Sequence, residues 1–265
     1  MSLHHNNVVA SEGAHALPET AGRKTFVLVH GAWHGGWCWR KVADLLRGEG
    51  HRVYTPTLTG LADRSHLLST QVRLDTHIDD IVNLFRWEEL SDVHLVLHSY
   101  GGWPGAGALE HVGERVASVM YLDAFLPRSG ERAADYASPF NRAALQEAVA
   151  RGELGRAPPH PSVFKVNKAD QAWVASLMTP QPNGVIFDEI RLTGALERVA
   201  RKTYVRAPSF EQPALDRMYE RCRLDPTWST RVTEAGHDVM IDDPQWLARE
   251  LLAIADAEEP VSRHA

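Results

Sequence analysis

A chain of 265 residues, 44% hydrophobic and 23% charged, suffices for one globular domain with a full core, or one domain carrying a sizeable insertion. Its net charge of -6, with no run of Lys and Arg, leaves no basic footprint for nucleic acid, and no stretch approaches the ~20 apolar residues of a membrane span. Two cysteines far apart in sequence, Cys38 and Cys222, exclude a disulfide framework or a four-cysteine zinc site and point to a reducing, cytoplasmic compartment.

Residues 1–23 lack the apolar stretch of a signal peptide and read as a flexible arm or tag remnant. From Lys24 short apolar runs alternate with helical patterns. TFVLVHG (25–31) is a buried strand ending in glycine, and WRKVADLLRGEG (39–50) a helix with Val42, Leu45 and Leu46 on one face. HRVYTPTLTG (51–60) gives a strand and turn, and LDTHIDDIVNLFRWEEL (74–90) a helix with Ile78, Ile81, Val82 and Phe85 aligned. DVHLVLH (92–98) is a continuous apolar strand, YGGWPGAGALEHVG opens a helix in which Pro104 suits the first turn, and RVASVMYLDAF (115–125) is the next strand.

Between 127 and 200 the alternation stops. That stretch is rich in Pro, Arg, Ala and Gly, with short helices at 142–152 and 169–178, and reads as a cap insertion. The rhythm resumes with KTYVRAP (202–208), a helix at 213–223, a short strand near 230–236 and a closing helix at 245–257. Strands joined by crossover helices predict an α/β fold, a mostly parallel sheet flanked by helices. The core is 24–126 with 201–258, the cap is small and mainly helical, and 259–265 is a tail.

In open parallel sheets, ligands bind beyond the carboxyl ends of the strands. Four strand ends then carry chemistry: the glycine-rich loop His30-Gly31-Ala32-Trp33-His34-Gly35-Gly36-Trp37, Ser99 in VLHSYGG, Asp123 in YLDAF, and His237 in EAGHDVM. A serine hydroxyl becomes a nucleophile when an imidazole takes its proton, and the imidazole needs a carboxylate to hold its tautomer. The backbone N–H groups of Tyr100 and of Ala32 or Trp33 are the candidate donors to the oxyanion that follows.

Together HGAWHGGWCW, the PTLTG turn, HSYGG, YLDAF and GHDVM resemble the α/β-hydrolase superfamily, in the branch of plant methyl esterases, hydroxynitrile lyases and bacterial esterase-like proteins. The resemblance runs from about Thr25 to the end and is weakest across 127–200. It implies the α/β-hydrolase fold, the triad order Ser, Asp, His, and a small or medium carboxylic ester as substrate, or else an amide or carbamate. The lyases carry a threonine where this chain has Gly31 and a lysine where it has Asp238. An anionic Asp238 would repel cyanide, so the resemblance favours a hydrolase.

Two positions depart from the pattern. Leu97 stands two before Ser99, where G-x-S-x-G has glycine, and must push the following helix outward or rotate into the core. The acid is absent from the loop after KTYVRAP, where the plant branch carries it. Asp123 is therefore the first choice and Glu211 the second.

Gly31, Trp33, His34, His98, Trp103, Phe125, Phe140, Trp173 and Met178 are the expected pocket residues, the last three coming from the cap. His34 and His98 are expected to hydrogen-bond to backbone rather than move protons. His30 and His34 have a metal-ligand spacing, but the glycines around them deny a helix and no third ligand is evident. The expectation is a cofactor-independent serine hydrolase without a metal, whose partner is a small-molecule substrate rather than nucleic acid or membrane. A homodimer is compatible with the chain. The alternatives are a catalytically weak ligand-binding protein on the same fold, which Leu97 would favour, and a lyase using the same triad.

Overall fold

The structure is a computed structural model that describes residues 22–257. The expected N-terminal arm, apart from Gly22 and Arg23, and the expected C-terminal tail lie outside the described residues. In chain order the strands are β1 (Thr25–Val29), β2 (Arg52–Tyr54), β3 (Val93–His98), β4 (Val116–Leu122), β5 (Gly155–Arg156), β6 (Gln181–Pro182), β7 (Arg201–Arg206) and β8 (Trp228–Val232). The helices are α1 (Arg40–Gly48), α2 (Leu74–Trp87), α3 (Gly102–Val112), α4 (Pro139–Ala150), α5 (Gln171–Leu177), α6 (Ala195–Arg198), α7 (Pro213–Arg223), α8 (Val239–Asp242) and α9 (Pro244–Asp256). Among them no helix is long and apolar enough to cross a membrane.

Six strands pair in the order β2-β1-β3-β4-β7-β8, every pair parallel, and β5 pairs antiparallel with β6 apart from this sheet. The central strands are apolar on both faces because both faces are covered. Successive side chains alternate between them. Val27, Val29, Leu95, Leu97, Tyr121 and Tyr204 face the core shared with α2, α3 and α7, whereas Phe26, Leu28, Val96, Met120 and Val205 face the one shared with α1, α8 and α9. The sheet order reverses beside β1, so the loop after β1 and the turn after β3 open onto one crevice.

Local signals fix the helices. On α2 the buried positions Leu74, His77, Ile78, Ile81 and Phe85 follow helical spacing, and Asp188 accepts the Leu74 N–H at 3.0 Å. On α9 the Asp243 carboxylate accepts the Trp246 N–H at 3.1 Å, with Pro244 in the first turn.

Residues 127–200 hold α4, the β5–β6 pair, α5 and α6, and are tied to the crevice by backbone bonds. Thr179 N–H donates to the Trp33 carbonyl (3.0 Å), and His237 N–H to the Phe164 carbonyl (2.8 Å). The final part of the segment enters the core proper through Val185, Ile186, Ile190, Ala195 and Val199.

Candidate active site

Ser99, Asp123 and His237 come together at the carboxyl ends of β3, β4 and β8. The Ser99 hydroxyl donates to His237 Nε2 at 2.9 Å, and His237 Nδ1–H donates to Asp123 Oδ2 at 2.6 Å. Asp123 is fully buried, and its second oxygen accepts from Arg206 Nη1 (2.7 Å) and Ala207 N–H (3.0 Å). Arg206, itself buried, spans from Asp123 to Asp216 and donates to the carbonyls of Ala207 and Phe210. The second-choice acid, Glu211, is exposed and makes no hydrogen bond with His237, whose Nδ1 is taken by Asp123.

Three residues at these strand ends hold left-handed backbone without being glycine: Trp33 (φ 65°), Ser99 (φ 51°) and Asp123 (φ 44°). Such conformations cost on the order of 1–3 kcal/mol each and persist where surrounding structure enforces them. At Ser99 the enforcement is visible. Phe125 N–H donates to the Ser99 carbonyl (3.1 Å), and a Cβ on Gly31 would stand 2.8 Å from Ser99 Cβ. A threonine in place of Gly31 would therefore collide with the serine itself.

Of the two expected courses Leu97 takes the second, into the core it shares with α3. Its side chain is fully buried against α3, into the space left by Gly105: a Cβ there would overlap both Leu97 δ-carbons and lie 2.8 Å from its Cγ. The small residue that the elbow needs has moved from strand to helix. Gly105→Ala is expected to destabilise the fold by about 1–3 kcal/mol through overpacking, despite alanine's better helix propensity. Urea unfolding should also show that Leu97→Ala with Gly105→Ala costs less than the sum of the two. Strict additivity would sink this reading.

Of the two loop donors considered, Trp33 N–H is engaged by Gln181 Oε1 at 2.9 Å, which leaves the Ala32 N–H as the candidate beside that of Tyr100. The Tyr100 side chain is anchored separately, its hydroxyl donating to His77 Nδ1 at 3.0 Å while His77 Nε2–H donates to the Thr59 carbonyl. Burial lowers His77 to about 4 and pushes the Tyr100 phenol up, so both are neutral. His30 is likewise neutral, lowered to about 3 by burial: its Nδ1–H donates to the Gly31 carbonyl and its Nε2 accepts the Leu58 N–H. Among the described residues no cluster of three metal-ligating side chains occurs.

Several expected pocket residues lie elsewhere. His34 and His98 are buried behind the crevice. His34 Nδ1–H donates to the Ala32 carbonyl (2.7 Å) and Nε2–H to Asp238 Oδ2 (3.1 Å), and His98 Nε2–H donates to the His237 carbonyl (3.0 Å). Asp238 does not face the pocket, where cyanide repulsion had been expected of it. It is fully buried, turned under the loop toward His34 and His98. Phe140 is 82% exposed, because α4 buries only Ala148. Trp173 packs edge-on against Trp37 beside Lys41, and Trp103 is buried against Phe125 and Tyr136. Met178 is buried in the core on the α1 side.

The walls nearest the imidazole are aromatic. The Phe210 ring lies 4.2 Å from that of His237 and Phe164 lies 5.7 Å away, with Trp33 next to Phe164. Phe164, Phe210, Arg206 and the buried role of Asp238 escaped sequence reasoning. The one available signal was a charged residue, Arg206, inside an otherwise apolar strand end.

These features agree with what the chain resembles in known proteins. The profile of the alpha/beta hydrolase family matches residues 26–250. A carbendazim hydrolyzing esterase of Nocardioides sp. (strain SG-4G) is 37% identical over 243 residues, covering 86% of this chain and 98% of that protein. Salicylic acid-binding protein 2 of Nicotiana tabacum is 28% identical over 88% of this chain and 97% of its own length. An extracellular alpha/beta-hydrolase from a Paenibacillus species superposes with a TM-score of 0.73 at 22% identity, covering 89% of this chain and all of that one. The matched span includes every strand of the six-stranded sheet except one residue of β1, and all three residues of the hydrogen-bonded relay. The chain belongs to the α/β-hydrolase family, in its esterase branch.

Proposed function

We propose that the chain is a cofactor-independent serine hydrolase that cleaves a small or medium carboxylic ester through an acyl-enzyme on Ser99. The observation that carries this reading is the relay of 2.9 and 2.6 Å from Ser99 through His237 to Asp123. With Nδ1–H committed to a carboxylate, His237 Nε2 is free to accept the seryl proton as Oγ attacks the carbonyl carbon. Ala32 and Tyr100 N–H groups would hold the oxyanion, and one such donor is worth roughly 3 kcal/mol in the transition state. The imidazolium then protonates the departing alkoxide, and water, deprotonated by the same imidazole, releases the acid.

The esterase names of the relatives support this class of reaction, and the fit of Leu97 into Gly105 removes the argument for an incompetent elbow. The absence of room at Gly31 for a side chain speaks for hydrolysis over the lyase alternative. Cys38 and Cys222, both free and buried, suit a reducing compartment such as the cytoplasm.

A fluorophosphonate probe tests the reading. Its phosphorus should form one bond to Ser99 Oγ with loss of fluoride, giving a single adduct by intact mass and peptide map, absent in Ser99→Ala. No adduct on folded protein, or an adduct on another residue, would turn the search from substrates to ligands.

A further inference from the structure

Among the described residues no carboxylate pairs with Arg156. It lies on β5, opposite Gln181 of β6, and both residues are fastened to Trp33. The Arg156 carbonyl accepts Trp33 Nε1–H at 3.2 Å, its guanidinium lies 5.0 Å from the Trp33 ring centroid, and Gln181 Oε1 accepts the Trp33 N–H. Arg156 Nη1 and Gln181 Nε2 are out of contact with solvent and have no hydrogen-bond partner among the described residues. The orientation of Gln181 is not arbitrary, because its oxygen is held by the Trp33 N–H and its NH2 group must point the other way.

Two buried donor atoms on paired residues, one of them cationic, are costly without an acceptor. Burial lowers the guanidinium to about 10, so it is charged at neutral pH. The neighbouring ionisable group that acts on it is Tyr100, a neutral phenol bonded to His77, which offers no negative charge. Trp33, to which both side chains are fastened, directly follows Ala32, and Tyr100, the ionisable neighbour of Arg156, directly follows Ser99, so both donors attach to the segments that carry the candidate oxyanion N–H groups. A carboxylate has two oxygens and accepts from two donors in this way.

We propose that Arg156 and Gln181 form a recognition site for a free carboxylate carried by the substrate, so that the preferred esters are acid-bearing ones such as half-esters of small dicarboxylic acids. For turnover this rests on the serine-hydrolase reading; for binding it does not. The test therefore begins with binding to Ser99→Ala, by calorimetry, of the monomethyl esters of succinic, glutaric and isophthalic acid. Each is paired with its neutral carboxamide counterpart.

At least one acid is expected to bind about 10- to 100-fold more tightly than its amide, with the ratio falling to near one when Arg156→Gln is added and partly retained with Arg156→Lys. In the enzyme with Ser99 intact, the same ratio should appear in kcat/KM. Equal binding of every acid and amide, or a ratio that Arg156→Gln leaves unchanged, overturns the proposal. Fluorophosphonate labelling keeps the two ideas apart: an unreactive Ser99 with the acid preference present sinks the serine-hydrolase reading alone, and a labelled Ser99 without the preference sinks this one alone.

Discussion

Asp123→Asn should lower kcat by about 10⁴ on an activated ester, with the protein still folded. The size follows from which way the amide must face. Asp123 Oδ1 accepts from two donors, Arg206 Nη1 and Ala207 N–H, and neither can become an acceptor. The carbonyl oxygen of an asparagine would stay with them, which turns its NH2 group toward His237. Two N–H donors cannot face each other, so His237 would give up the Nδ1 proton and carry it on Nε2. In that tautomer the imidazole cannot take a proton from Ser99, and the nucleophile is lost without any movement of the triad. Single-turnover acylation and fluorophosphonate labelling should slow together with kcat. A loss of less than tenfold would mean that the carboxylate at this position is not what orients the imidazole.

The same residues show where sequence reading stops. Ser99, Asp123 and His237 were legible because each ends an apolar strand or follows one, and strand ends in a parallel sheet share one crevice. The helices were legible from spacing and caps, both local properties. Leu97 looked like a defect because its compensation, Gly105, sits on the next helix, and only packing reveals that the two are one device. Asp238 was read as a pocket charge, yet its direction is set by His34, 204 residues away, across the sheet. The 127–200 segment has no long period to read. Its position depends on backbone bonds to Trp33 and His237, which is why Phe140 was assigned to the pocket and stands in solvent instead.

The buried pair of His34 and Asp238 gives the largest expected effect on stability. Both ring nitrogens of His34 face acceptors, the Ala32 carbonyl and the Asp238 carboxylate, so satisfying both requires the imidazolium. Burial is the strongest influence on His34 and opposes that charge, but the Asp238 carboxylate and the two hydrogen bonds outweigh it, and the net shift is upward from 6.5. Burial likewise opposes ionisation of Asp238, and His34 outweighs it, holding the carboxyl at about 2 rather than 3.8. His98, lowered by burial and by neighbouring His237, stays neutral beside them. The pair links the Ala32 carbonyl to the residue after His237, and so ties the candidate oxyanion loop to the proposed general base.

Asp238→Ala should destabilise by about 3–5 kcal/mol, the cost of a buried charge left without its partner, reduced to the extent that His34 sheds its proton. Asp238→Asn should cost less, since a neutral His34 can keep Nδ1–H on Ala32 and accept the amide N–H at Nε2. The pH dependence carries the signature. For a raised histidine the contribution is whole below 6.5 and fades as pH rises through the folded value; for Asp238 it is whole above 3.8 and fades toward 2. The pair is thus at full strength between about pH 4 and 6.5, and urea midpoints should fall on the alkaline side in the native sequence but not in Asp238→Asn. In Asp238→Ala, where the candidate oxyanion loop is no longer tied to the imidazole, kcat should also fall, by roughly ten- to a hundredfold, with KM little changed. An alkaline slope that survives Asp238→Asn would show that His34 is not the group titrating, and the link between the two loops would have to be sought elsewhere.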